Sequence, residues 1–200
     1  MPEATPRSGS AAIIGRPNVG KSTLLNSLLG QKLAIATSKP GTTRSVLLGV
    51  YVQQDPPTQI AFIDTPGMHR PHNALGRALV EDAKAGLASA DVIVFVTEIG
   101  KQGGRLTFPV PGDAEILEQL RDFKGKVVLV INKVDRLKEK ALLLPLIERA
   151  SKAFDFAAVV PVSALRKDNM DSLVRALREQ LPEGLAVTGG LRAVMDAFGF

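Results

Sequence analysis

The chain predicts an α/β fold: a three-layer sandwich around a mostly parallel six-stranded sheet with one antiparallel edge strand. Three observations predict it. Short runs rich in Val and Ile recur along the 200 residues with helix-period segments between them, and that alternation builds parallel sheets with helices on both faces. Two of the runs, 45–54 and 58–64, are joined by Asp55-Pro56-Pro57, a hairpin signal that makes one edge antiparallel. The first run, Ala11-Ala12-Ile13-Ile14, leads into a glycine-rich loop and then into Leu24, Leu25, Leu28 and Leu29 at helical spacing.

The remaining elements follow in order. "SVLLGVYVQQ" (45–54) and "TQIAFID" (58–64) are neighbouring strands, and a helix is predicted over 74–88. "DVIVFVTE" (91–98) is continuously apolar, as a strand buried on both faces is. "GDAEILEQLRDF" (112–123) predicts a helix with Asp113 as its cap. "KVVLVIN" (126–132) is a second buried strand, and 139–153 is helical with a bend or restart at Pro145. "FAAVVPVS" (156–163) is the last strand and "NMDSLVRALREQL" (169–181) an amphipathic helix. Residues 1–10 are expected to be a flexible tail, 11–184 one domain, and 185–200 a second tail.

Hydrophobic residues make up 45% and charged residues 22% of the chain, the balance of a soluble globular domain. There are no cysteines, which excludes disulfides and thiolate metal sites. No apolar run reaches the length of a membrane span, and "MPEATPRSGS" lacks the apolar stretch of a signal peptide. A cytoplasmic monomer is expected. The net charge of +5 permits an anionic partner, but Lys and Arg are dispersed and aromatics are only 4%, so no base-stacking platform is visible.

The chemistry concentrates at predicted strand ends, where open α/β sheets bind their ligands. Gly15-Arg16-Pro17-Asn18-Val19-Gly20-Lys21-Ser22 has the spacing Gly-x-x-x-x-Gly-Lys-Ser, with Thr23 behind it. Small residues at Gly15 and Gly20 let backbone N–H groups curl around an anion, and the following helix points its positive end at the same place. Lys21 can reach the β- and γ-phosphates, and Ser22 can put its hydroxyl on Mg²⁺. Asp64-Thr65-Pro66-Gly67 offers a carboxylate toward that metal and an N–H, on Gly67, toward a γ-phosphate. In "PGTTR" (40–44), Thr42 and Thr43 are candidates for a second metal hydroxyl. Asn132-Lys133-Val134-Asp135 ends the fifth principal strand. Asp135 can accept from guanine N1–H and its amino group, a donor pair adenine lacks, while Asn132 and Lys133 brace loop and base. Ser163-Ala164-Leu165 ends the last strand, with the Ala164 N–H available to a guanine carbonyl. These residues point to GTP or GDP with Mg²⁺.

With those motifs in place the chain resembles the bacterial Era GTPase family. "GRPNVGKSTLLNSLLGQKLAIATSKPGTTR", "IDTPGMHRPHNALG", "INKVD", "VPVSAL" and the exit "LREQLPEG" carry the resemblance, from about Ala11 to Gly184. It implies a Ras-like fold and hydrolysis of GTP to GDP and phosphate. It also implies a part in small-subunit ribosome assembly through 16S ribosomal RNA, and peripheral association with the inner face of the cell membrane. The tandem-domain ribosome-assembly GTPases and the tRNA-modification GTPases share similar "PNVGKST" and "GTTR" segments, and a single G domain near the start is expected to separate this chain from both. Era-like proteins continue into an RNA-binding KH domain. "LAVTGGLRAVMDAFGF" (185–200) does not resemble that continuation, and "TGGL" lacks the basic Gly-x-x-Gly setting. A G domain alone, with weak RNA binding, is the expectation.

The water-orienting glutamine of many GTPases falls at Met68, which cannot serve. His69 and His72 read as loop polarity, and Arg44 and Arg70 are not obviously placed as an internal arginine finger. Lys21, Thr43, Gly67 and Asn18 are therefore the expected catalytic set. The Asn18 amide oxygen can coordinate potassium beside the phosphates, as in several relatives resembling this chain. Slow intrinsic hydrolysis is expected. Three functional classes stand side by side: a self-sufficient slow GTPase switch, a nucleotide-gated binding module that needs an external partner, and a truncated fragment without RNA function.

Overall fold

Apolar residues on strands covered from both sides make up about half of the buried core among the described residues. The computed structural model describes residues 5–30, 33–34, 46–64, 90–102 and 105–184. Its strands are β1 (Arg7–Ile14), β2 (Leu33–Ala34), β3 (Val46–Gln54), β4 (Pro57–Asp64), β5 (Val92–Glu98), β6 (Gly100–Gln102), β7 (Arg105–Thr107), β8 (Lys126–Asn132) and β9 (Ala158–Pro161). The helices among these residues are α1 (Lys21–Leu29), α2 (Pro111–Leu120), α3 (Leu143–Ala153) and α4 (Met170–Gln180).

The main sheet runs β2-β3-β4-β1-β5-β8-β9. β4, β1, β5, β8 and β9 are parallel, and β3 pairs antiparallel with β4. The six principal strands are those the sequence predicts. The two-residue β2 pairs antiparallel with β3 outside them, so β3 is not itself the edge.

Successive residues of each central strand feed opposite cores. Ile13, Phe62, Val94, Val96, Val128 and Val130 face α1 and α4 through Leu24, Leu28, Leu173 and Leu177. Ile14, Ile63, Ile93, Phe95, Leu129 and Ile131 face α2 and α3 through Ile116, Leu120, Leu146 and Ala150. β1 has β4 on one side and β5 on the other, so the loop leaving its carboxyl end sits at the centre of the sheet's ligand-binding edge.

Several expectations change. Arg7–Ser10 are not tail but the first half of β1: Arg7 donates to the carbonyls of Glu179 and Leu181 at 3.0 and 3.1 Å, and the Ser8 hydroxyl to that of Gly184 at 2.9 Å. The exit segment thus completes hydrogen bonds that the polar sequence 7–10 gave no hint of. The last strand is shorter than 156–163. Asp113 does not cap α2; Val110 holds the cap position, Pro111 opens the helix, and Asp113 lies buried inside the first turn. The β6–β7 hairpin was not expected. Pro145 sits in the first turn of α3, after a 3-10 turn at Lys140–Leu142, where its missing N–H costs no helical bond. The helix predicted over 74–88 and the tail 185–200 lie outside the described residues.

Candidate functional site at the sheet's carboxyl edge

The loop between β1 and α1 is shaped by two glycines in conformations that other residues rarely adopt. Gly15 has φ 146° and Gly20 φ 99°. A Cβ on Gly15 would lie 2.1 Å from the Val96 carbonyl oxygen, and one on Gly20 2.4 Å from Asn132 Nδ2. Between them Val19 is wholly buried and anchors the loop, while Pro17 and Asn18 are exposed. Asn18 has φ 63°. α1 begins at Lys21 with no side-chain cap, so its first N–H groups point at the loop. Lys21 Nζ lies over the rim, donating to the carbonyls of Gly15 at 2.7 Å and Arg16 at 2.8 Å. Ser22 and Thr23 are exposed on the same turn. Arg16 turns away from the rim, and its Nε meets Asp113 at 2.7 Å.

Asn132 ties this loop to the second half of the site. It is 2% exposed at the end of β8. Its Nδ2 donates to the Val19 carbonyl at 2.9 Å, and its Oδ1 accepts from the Lys133 N–H at 2.8 Å and the Ala164 N–H at 3.0 Å. One buried amide thereby joins three chain segments through three hydrogen bonds. The Ala164 N–H, expected to face a base carbonyl, is directed into Asn132 instead, because that buried Oδ1 needs donors. Lys133, at φ 64°, reaches back with Nζ 2.6 Å from the Asn18 carbonyl and 2.6 Å from Glu98 Oε2. Sequence reasoning missed Glu98: nothing local marks the last residue of β5 as the partner of the lysine that follows β8, although the register pairs Glu98 with Asn132.

Asp135 and Ser163 pair just beyond Asn132. The Ser163 hydroxyl donates to Asp135 Oδ1 at 2.6 Å and accepts from the Arg166 N–H at 3.2 Å. That hydroxyl is the main reason the Asp135 carboxyl is held below the usual aspartate range; a backbone hydrogen bond and the charges of Arg166 and Arg136 add to it, against a smaller opposing effect of burial. Asp135 is therefore an ionised, acceptor-only group, as recognition of a two-donor edge requires. Leu165 is 77% exposed beside it.

The Ser22 hydroxyl, exposed on the first turn of α1, is a hard oxygen donor in the described part of the site. Asp64 ends β4 in register with Ile13, two residues before Gly15. Thr42, Thr43, Thr65, Pro66, Gly67 and Met68, with Arg44, His69, Arg70 and His72, lie outside the described residues.

The pattern of the family described as "50S ribosome-binding GTPase" matches residues 10–133, well over half of the chain. The chain belongs to this GTPase family. The match takes in the Gly15–Ser22 loop, Asp64, Asn132 and Lys133, while Asp135 and Ser163 lie beyond it and rest on the geometry above. Curated relatives include GTPase Era of Clostridioides difficile, 42% identical over 178 residues, which are 89% of this chain and 57% of the relative. GTPase Era of Marinobacter nauticus is 44% identical over 180 residues, 90% of this chain and 56% of the relative. The chain thus spans just over half the length of these relatives. Among solved structures, Aquifex aeolicus Era bound to GDP and AlF4⁻ superposes with a TM-score of 0.73 at 39% identity, covering 92% of this chain and 60% of the other. Era in complex with MgGDPNP and nucleotides 1506–1542 of 16S ribosomal RNA gives 0.74 at 39% identity with the same coverage. The fold alone is shared with the G domain of Thermotoga maritima FeoB, at 22% identity and a TM-score of 0.61. The fold is Ras-like, as expected.

Proposed function

We propose that this chain is a guanine-nucleotide switch that binds GTP and hydrolyses it slowly to GDP and phosphate. One observation carries the reading: the buried Asn132 joins the loop suited to phosphate to the Asp135–Ser163 pair suited to guanine. In this reading Asp135 selects the base, the stem of Lys133 flanks it, and the amides of the loop and of α1 bind phosphate oxygens. Lys21 exchanges its two carbonyl partners for β- and γ-phosphate oxygens, a charge-assisted replacement. Ser22 and Asp64, with Thr43, would hold Mg²⁺, which offsets charge on the phosphates when bound. Gly67 supplies an N–H to the γ-phosphate, and Asn18 holds a potassium ion beside it. With Met68 in place of a glutamine, positioning and cations carry the stabilisation, so intrinsic turnover is slow.

The Era complex with a 16S fragment supports small-subunit ribosomal RNA as the partner in this reading. Its net charge of +5, spread without an aromatic platform, supports binding that is weak and steep in salt. The protein works in the cytoplasm as a monomer, with peripheral contact at the inner membrane face. Single-turnover assays with GTP and ATP, with and without Mg²⁺, test the enzyme. Magnesium-dependent conversion of GTP but not ATP is expected; equal handling of both nucleotides would reject the base assignment. Binding to nucleotides 1506–1542 of 16S ribosomal RNA should weaken roughly tenfold or more between about 50 and 200 mM salt, as phosphate-dominated contacts do.

A further inference from the structure

We propose that Asp113 is a positioning residue for the phosphate loop, acting through Arg16. Asp113 is wholly buried, and both its carboxylate oxygens are engaged. Oδ1 accepts from Arg16 Nε at 2.7 Å, and Oδ2 accepts from the Thr97 hydroxyl at 2.7 Å. Thr97 belongs to β5 and Asp113 to α2, so the carboxylate is fixed by two elements of the rigid core and holds a side chain of the loop. A buried carboxylate with a single cationic partner keeps that partner in place, because separating the two strands a charge in low dielectric.

The consequence reaches the rim. The Arg16 carbonyl accepts from Lys21 Nζ at 2.8 Å. Thr97, Asp113, Arg16 and Lys21 thus form one chain from the core to the ammonium assigned to phosphate. Gly112 makes room for it: a Cβ there would lie 2.5 Å from Arg16 Cδ. β5 acts in the same way on the loop's other flank, where the neighbouring Glu98 holds Lys133, which reaches the Asn18 carbonyl. The loop is held at its first and third variable positions from consecutive residues of one strand.

This inference rests on the phosphate-loop reading and is tested so that the two fail separately. Asp113→Asn keeps size and removes charge; Gly112→Ala keeps the charges and crowds the Arg16 stem. Each is compared with the parent 200-residue chain by amide hydrogen exchange without nucleotide and by GDP affinity. Both variants should speed exchange severalfold across 15–20, leave β5 and β8 unchanged, and weaken GDP about tenfold, the size of one charge-assisted hydrogen bond. Exchange that rises equally in the core strands would reduce Asp113 to general stability and overturn the proposal. Unchanged loop exchange or unchanged GDP affinity in both variants would also overturn it. If Asp113→Asn does not fold, Gly112→Ala alone decides by the same criteria. Lys21→Ala is the control: GDP affinity equal to the parent's would reject the phosphate-loop reading itself, whereas its loss beside unaltered Asp113→Asn and Gly112→Ala would reject only the positioning role.

Discussion

The Ser163 hydroxyl donates to Asp135 Oδ1 across 2.6 Å, linking the loops that leave two neighbouring parallel strands. The bond stabilises the ionised carboxylate and holds its pKa below the usual aspartate range. The charged form therefore contributes stability that is complete above the ordinary aspartate value and is lost as pH falls through the lowered one. Guanine binding should follow the same curve, staying flat as pH falls through about 4 and weakening only below it. Ser163→Ala removes the main cause and should move that loss upward toward the ordinary range. GDP affinity measured against pH for both proteins checks this; superimposable curves would detach Ser163 from the base site.

Asp135→Asn should change which base is preferred. Xanthine carries a carbonyl where guanine carries its amino group, and an asparagine amide can donate where the carboxylate only accepts. The variant should favour XTP over GTP in competition, by about tenfold for one re-matched hydrogen bond. Retained GTP preference would show that another residue reads that edge.

Asn132→Ala should destabilise the whole domain as well as the site. Substitution leaves the Val19 carbonyl and the Lys133 and Ala164 N–H groups without their present partner, and the first and last of these bonds are buried. A loss of about 3 kcal/mol is expected from unsatisfied buried groups, a fall in melting temperature of roughly 6–12 °C for a chain of this size. Thermal unfolding without nucleotide measures it, and a melting temperature equal to the parent's would contradict the bridging role.

Potassium should accelerate GTP hydrolysis over sodium, and Asn18→Ala should abolish the difference. Asn18 is exposed within the loop, and its carbonyl is taken by Lys133, so its side-chain amide oxygen is the group proposed as a cation ligand. A monovalent charge there substitutes in part for an arginine finger. Turnover in potassium and sodium chloride at equal ionic strength, severalfold apart for the parent, is the readout. Equal rates for the parent, or a potassium effect that survives the substitution, would remove Asn18 from the mechanism.

What could be read from the chain alone was what neighbouring residues settle between themselves. Gly15 and Gly20 impose a backbone that only small residues adopt, so the loop is written in eight consecutive positions. Continuous apolar runs such as Val92–Val96 need burial on both faces, so the parallel sheet follows from them. Asp135 could be proposed for the base from its own segment, because selecting a two-donor edge needs an acceptor-only side chain at a strand end. The long-range pairings were not. Asp113 looked like a helix cap because local sequence offers an acid near a helix start no better partner; only the folded chain brings Arg16, 97 residues away, to its carboxylate. Asn132 meets Val19 across 113 residues, and Arg7 meets Leu181 across 174. Such contacts depend on which strands become neighbours and in what register, and that is decided by the packing of all the elements at once. The bracing of the site therefore belongs to the tertiary structure, while the groups assigned to phosphate and base were already named by their own short segments.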